Sequence, residues 1–184
     1  MTARPGPKYL PGDLTPEDDT ERMIRVDHAG EFGAVRIYAG QMAVLRHKPQ
    51  APVIREMAEQ EDVHLDRFNR MIADRHVRPT ALAPLWHVGG YLLGAGTALL
   101  GPRAAMACTV AVEEVIDAHY GAQAGRLGDR DPELKDVIEQ FQADEQEHRD
   151  TALNNEAQLA PAYPLLTAVV KSISRSAIWV SERF

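Results

Sequence analysis

The spacing of apolar and polar positions divides the chain into helical segments. Thr15-Pro16-Glu17-Asp18 reads as a helix start, with an N-cap hydroxyl, a proline at the first position and acids in the first turn. The pattern predicts a first helix from there to about Lys48, stopped by Pro49, and a second that follows Pro52 and runs to about Arg75. A third occupies about 102–128. Asp131-Pro132-Glu133 repeats the start signal and opens a fourth helix that ends before Pro161. A last helix runs from about Leu165 to the C-terminus, with Leu165, Val169, Ile173, Ala177 (or Ser176), Val180 and Phe184 in one apolar stripe.

Between the second and third helices the polarity changes. No formally charged residue occurs in the 24 positions from Pro79 to Pro102. That length approaches the roughly 20 apolar residues of a membrane span. Pro84, His87 and the glycines at 89, 90, 94 and 96 make it a poor span. The segment is expected to lie along a helical bundle and to dip into a membrane surface. The last helix carries Lys171, Arg175 and Arg183, which suits either a packing helix with snorkelling cations or a helix that faces a membrane. Residues 1–20 are set apart as a flexible N-terminal tail, rich in proline at Pro5, Pro7 and Pro11, leaving 21–184 as the domain. Gly30 and Gly33 weaken the first helix by up to about 1 kcal/mol each relative to alanine. Small residues flanking Glu31 therefore imply close approach of another helix or a ligand.

Composition narrows the class. A chain of 184 residues, 45% hydrophobic and only 6% aromatic, with short β-branched runs, leans all-α and forms one domain. A net charge of −7 without a basic stripe excludes nucleic acid as the main partner. The single cysteine, Cys108, sits in an apolar run, forms no internal disulfide and reads as a small buried hydrophobe in a reducing compartment. The N-terminus lacks a charged-then-apolar signal pattern, so no secretion is expected.

The chemistry lies in an internal repeat. Glu61 and His64 are three apart, so a helix places them on one face. Glu145 and His148 repeat the pair. Each is preceded by a helix bearing a single glutamate: Glu31 stands seven residues before Tyr38, and Glu113 seven before Tyr120. Each tyrosine is followed by two small residues and a glutamine, Gln41 or Gln123. One half thus supplies a Glu from one helix and a Glu-x-x-His from the next. Two facing halves give four carboxylates and two imidazoles, the ligand pattern of ferritin-like bundles with two metal ions. Oxygen-rich, thiolate-free donors suit iron or manganese rather than structural zinc. Four ionised carboxylates balance two divalent ions; without metal they repel one another and raise their own pKa values. Bringing the halves together requires the 77–102 segment to travel back along the bundle, as the long crossover of such folds does. Tyr38, Tyr120 and Asp144 are placed as hydrogen-bond partners of the ligands. His28 is set outside the ligand set, because Val110 stands at the equivalent point of the other half.

Asp27-His28-Ala29-Gly30-Glu31, Tyr38-Ala39-Gly40-Gln41, Leu85-Trp86, the run Gly94 to Gly101, Ala107 to Glu114 and Ser181-Glu182-Arg183 resemble the demethoxyubiquinol hydroxylase family. The resemblance extends from about residue 22 to the end. It implies a membrane-associated di-iron monooxygenase of ubiquinone biosynthesis, with two Fe ions per chain. Glu61 and Glu145 would bridge the irons, and Glu31, His64, Glu113 and His148 would complete their ligands. The implied partners are a polyprenyl quinol, O2, a membrane surface and a reductant for which NADH is a candidate, with an oligomer or a biosynthetic complex left open. The implied place is the cytoplasmic face of a bacterial inner membrane or the matrix side of a mitochondrial one. A ferroxidase or peroxide reductase on the same site, and a non-enzymatic bundle binding iron or a quinone, are the alternatives.

Overall fold

The computed structural model describes residues 12–184. Positions 1–11 of the expected tail lie outside them, and helix begins already at Pro16. The described residues form α1 (Pro16–Leu45), α2 (Ala51–Asp74), α3 (Ala83–Leu99), α4 (Pro102–Leu127), α5 (Pro132–Asn154), a 3-10 turn (Ala157–Leu159) and α6 (Tyr163–Ser181). No strand occurs among them, and the fold is an all-α, ferritin-like bundle. Its four central helices are α1, α2, α4 and α5.

Local chemistry sets the starts. Thr15 and Asp18 form a reciprocal capping box: Thr15 Oγ1 accepts from the Asp18 amide at 3.1 Å, and Asp18 Oδ2 accepts from the Thr15 amide at 3.2 Å. Asp131 caps α5 by accepting from the Leu134 amide at 3.1 Å. The ends are less legible. α1 stops at Leu45, short of Pro49, because residues 46–50 turn back immediately to start α2 at Ala51. α5 ends at Asn154 and the following turn occupies part of the stretch before Pro161.

The uncharged crossover is itself a helix, α3, laid against α1. Contact is backbone on backbone: a Cβ on Gly94 would lie 1.9 Å from the Ile37 carbonyl oxygen, and one on Gly40 would lie 2.2 Å from that of Tyr91. The close approach expected near Gly30 and Gly33 is met at Gly33, where a Cβ on Gly90 of α3 would lie 2.9 Å from the Gly33 carbonyl oxygen, and it continues along α1 to Gly40. α3 then meets α4 through a sharp corner at Gly101, whose φ of +113° no side chain tolerates well. In the second half α6 packs on α4 as α3 packs on α1, so the repeat extends to three helices per half.

The core is layered along the bundle. One buried cluster joins Tyr38, Leu45, Ile54, Met57, Met106 and Val110. Another joins Met23, Ile24, Phe68, Leu127, Ile138 and Phe141. Between them every central helix presents polar side chains inward: Glu31, Glu61 and His64, Glu113, Glu145 and His148, all buried. The stripe expected on the last helix is divided: Leu165 is 67% and Val169 49% exposed, while Ile173 and Ala177 border an apolar cavity, and α6 buries Thr167, Val170 and Ser181. Among the described residues no helix is long and apolar enough to cross a membrane.

Candidate metal centre

Two overlapping donor groups form in the polar layer. Glu31, Glu61, His64 and Glu145 each offer an atom within 4.8 Å of the others, and so do Glu61, Glu113, Glu145 and His148. Glu61 and Glu145 belong to both groups. That sharing is what two adjacent cations bridged by two carboxylates require.

The imidazoles are oriented by residues from the opposite half. His64 Nε2 lies 3.1 Å from Asp144 Oδ2, and His148 Nε2 lies 3.0 Å from Gln60 Oε1. Both partners are acceptors, so each Nε2 carries a proton and each Nδ1 turns toward the carboxylates. His64 Nδ1 is 3.3 Å from Glu145 Oε1, and His148 Nδ1 is 3.0 Å from Glu61 Oε1. The tyrosines also cross over. Tyr38 Oη donates to Glu113 Oε1 at 3.2 Å, and Tyr120 Oη donates to Glu31 Oε1. Each tyrosine serves the single glutamate of the other half, not the one seven residues before it. The glutamines follow the same rule: Gln123 Nε2 donates to Asp27 Oδ1 at 2.8 Å, and Gln41 Nε2 donates to the Ala105 carbonyl at 3.2 Å and approaches Thr109 Oγ1 at 3.5 Å.

Charge in the cluster is unbalanced without cations. Burial pushes the carboxyls of Glu31, Glu61 and Glu113 up, and the neighbouring Glu145 charge pushes them further. Burial also acts to raise Glu145, but bonds from His148 and His64 outweigh it and hold this carboxyl at about 2. Burial opposes charging of His64, yet bonds to Glu145 and Glu31 drive it up to about 11. Protons on the imidazoles and carboxyls therefore stand where positive metal charge would. Both Glu61 oxygens and His64 Nδ1 are buried without a hydrogen bond of good geometry, as atoms that serve as ligands to a cation would be. The residues fit a pair of oxygen-preferring divalent ions.

An apolar cavity of about 410 Å³ adjoins the cluster, walled by α1, α3, α4 and α6. A smaller pocket continues it inward past Val26, Gly30, Ala34 and Ile116 to Glu31, Glu61, Glu113 and Glu145. Gly30 and Gly33 line the large cavity, so the small residues beside Glu31 leave room for a ligand as well as for the approach of α3 at Gly33.

His28 bonds Asn69 at 3.0 Å and takes no part in the donor groups. Sequence reasoning missed Gln60 as a partner of His148, and the pairing of the half-buried His119 with the buried Asp27. The signal for Gln60 was its register, directly before Glu61 as Asp144 stands before Glu145. For Asp27 no signal stood out: its place in the other half is held by Thr109.

The comparisons with known proteins agree with this geometry. The sequence model described as "Ubiquinone biosynthesis protein COQ7" matches residues 18–181. The 3-demethoxyubiquinol 3-hydroxylase of Rhodospirillum rubrum is 55% identical over 175 residues, 95% of this chain and 82% of that protein. The mitochondrial NADPH-dependent 3-demethoxyubiquinone 3-hydroxylase of Mus musculus is 55% identical over 168 residues, 89% of this chain and 77% of its own. That of Homo sapiens is 53% identical over 167 residues, with the same shares covered. The match runs through both halves of the repeat and the crossover between them, and the chain belongs to the COQ7 family of ubiquinone biosynthesis proteins.

Proposed function

We propose that this chain is a 3-demethoxyubiquinol 3-hydroxylase, a di-iron monooxygenase that adds one oxygen atom of O2 to a polyprenylated quinol ring. The observation that carries the reading is the continuity between the apolar cavity and the carboxylate–histidine cluster. A ferroxidase or peroxide reductase needs the cluster but has no use for an apolar cavity of about 410 Å³ beside it. A non-enzymatic bundle that binds iron or a quinone needs one of the two, not both joined.

Glu31, Glu61, His64, Glu113, Glu145 and His148 would hold the two irons, with Glu61 and Glu145 shared. The chemistry supplied by such a pair is activation of O2, one oxygen atom going to the ring carbon and the other leaving as water. The protein's own contributions are physical. Asp144 and Gln60 fix the histidine rings, and Tyr38 and Tyr120 hold one oxygen of each single glutamate so that its other oxygen faces inward. The apolar walls exclude water from the reacting ring.

The same helices that wall the cavity, α3 and α6, carry apolar side chains on their outer faces: Leu85, Val88 and Leu99 on α3, Leu165, Val169 and Trp179 on α6. Arg175 and Arg183 lie among or beside those of α6, while Lys171 is held by Glu114 of α4. This supports a peripheral seat on an anionic membrane surface, with the polyprenyl tail entering between α3 and α6 directly from the lipid. The cytoplasmic face of a bacterial inner membrane, or the matrix side of a mitochondrial one, suits it. The reductant is a nicotinamide: NADH on the family resemblance, NADPH in the names of the mammalian relatives.

The test is the lipid quinone profile of cells lacking the chain. Accumulation of the demethoxy precursor, restored to ubiquinone by the wild-type chain and not by Glu61→Ala, is expected. An unchanged profile overturns the reading.

A further inference from the structure

The two halves of the bundle are not equal around the cluster. In one half Gln41 reaches toward Thr109, a neutral hydroxyl. At the equivalent place in the other half Gln123 reaches Asp27, a carboxylate that is 2% exposed. His119 Nε2 lies 3.2 Å from the same oxygen, Asp27 Oδ1, and its own counterpart in the repeat is the apolar Ile37. The repeated framework therefore needs only a neutral acceptor here. A buried carboxylate costs several kcal/mol in desolvation that a threonine does not. Asp27 is outside both donor groups, so metal binding does not account for it.

The second oxygen is the informative one. Asp27 Oδ2 is buried and has no hydrogen-bond partner. Buried carboxylate oxygens in native proteins are rarely left so, and an orphan of this kind marks a place where something else binds. Asp27 lines the small pocket that joins the apolar cavity to Glu31 and Glu113. The asymmetry thus falls on the side where the cavity opens. Burial raises the Asp27 carboxyl above its usual range, while His119 and Gln123 on Oδ1 oppose that shift.

We infer that Asp27 is a substrate-binding residue whose free oxygen accepts a hydrogen bond from a ring hydroxyl of the quinol, setting the ring against the metal cluster. The inference rests on the functional reading above and sharpens it. A carboxylate acceptor favours the reduced ring, which carries hydroxyl donors, over any ring whose oxygens can only accept. An apolar channel alone makes no such distinction, because tail burial is the same for both.

Binding by the iron-loaded full chain, without O2 so that nothing turns over, separates the cases. Quenching of tryptophan fluorescence reports occupancy, since Trp86 lines the cavity. The probes are a decyl-tailed demethoxyquinol and its di-O-methyl ether. The wild type is expected to bind the quinol about tenfold or more tighter than the ether, the usual scale of a hydrogen bond to a charged acceptor. Asp27→Asn, and Asp27→Thr, which copies the Thr109 side of the framework, should bring that ratio close to one with iron content unchanged. A ratio that persists in either folded variant overturns the inference. So does a wild type that binds both probes equally, and so does loss of the fold in both variants, which would make Asp27 structural. A wild type that binds neither probe overturns the functional reading itself.

Discussion

Gln60 Oε1 sits 3.0 Å from the Nε2 edge of His148, a residue of the opposite half, and so fixes which nitrogen of that ring can meet a metal. Asp144 does the same for His64 at 3.1 Å. Removing either acceptor frees the ring to rotate and to exchange its tautomer. Gln60→Leu and Asp144→Leu should each lower iron affinity or hydroxylation by about 10–100-fold. Iron titration of the metal-free protein checks it, and unchanged affinity in both would mean that packing alone orients the rings.

The neighbours Glu113 and Glu114 are separated by their faces. Glu113 is 2% exposed and accepts from Tyr38, whereas Glu114 points outward and pairs with Lys171. Glu113→Ala should abolish product formation and cost one metal its terminal oxygen. Glu114→Ala should retain most of both, since an exposed ion pair contributes roughly 0–1 kcal/mol. A dead Glu114→Ala beside an active Glu113→Ala would reverse the assignment.

How much of this was readable beforehand depends on the kind of interaction. The six side chains singled out by the repeat do converge, because helical spacing and a strict repeat determine faces without knowledge of packing. Contacts between halves were the harder part. The spacing from Glu31 to Tyr38 suggested a partnership within one helix, but seven residues is about 10 Å of helix, so Tyr38 instead meets Glu113 on α4. The crossover was recognisable as apolar, yet its seat on α1 depends on Gly40 meeting Tyr91 and Gly94 meeting Ile37, a register no single segment encodes. Asp27 was hidden for a simpler reason: one buried aspartate looks like any other until its unpaired oxygen is seen.

Metal uptake should be steeply dependent on pH. Glu31, Glu61 and Glu113 have carboxyls raised by burial, and His64 is raised to about 11, so the metal-free cluster holds protons near neutrality. A cation must displace them, so apparent affinity rises as pH rises. Calorimetry in buffers of different ionisation enthalpy should show protons released on binding. A heat independent of buffer would mean that the cluster is already deprotonated.

Glycines separate packing from propensity. A Cβ at Gly94 would overlap the Ile37 carbonyl, forcing α3 off α1, so Gly94→Ala should destabilise by about 1–3 kcal/mol or more. A Cβ on Gly33 would meet nothing within 4 Å, and Gly33→Ala should gain up to about 1 kcal/mol of helix propensity. It lines the cavity, however, so its methyl group should weaken binding of the quinol tail while raising the melting temperature. Denaturant titration of the two variants should give opposite signs; two losses would mean that Gly33 too is needed for packing.

The membrane seat follows from which leucines face out. Leu99 is 75% exposed on α3 and Leu165 is 67% exposed on α6, while Leu92 and Leu93 line the cavity. Charging Leu92 or Leu93 would confound membrane binding with ligand binding. Charging Leu99 and Leu165 leaves the cavity lining untouched, so Leu99→Glu/Leu165→Glu should keep the melting temperature within a few degrees of wild type. Insertion of each leucine into lipid contributes up to about 1.5–3 kcal/mol, and a carboxylate on either forfeits it and is repelled by anionic headgroups. The double variant should therefore lose tenfold or more of its binding to vesicles containing phosphatidylserine. High salt on the wild type should detach only part of the protein, because apolar burial survives screening of Arg175 and Arg183. Sedimentation with vesicles measures both effects. A double variant that still pellets like wild type would show that the faces of α3 and α6 are not what touches the membrane, and would leave the cavity between them without a lipid-side entrance.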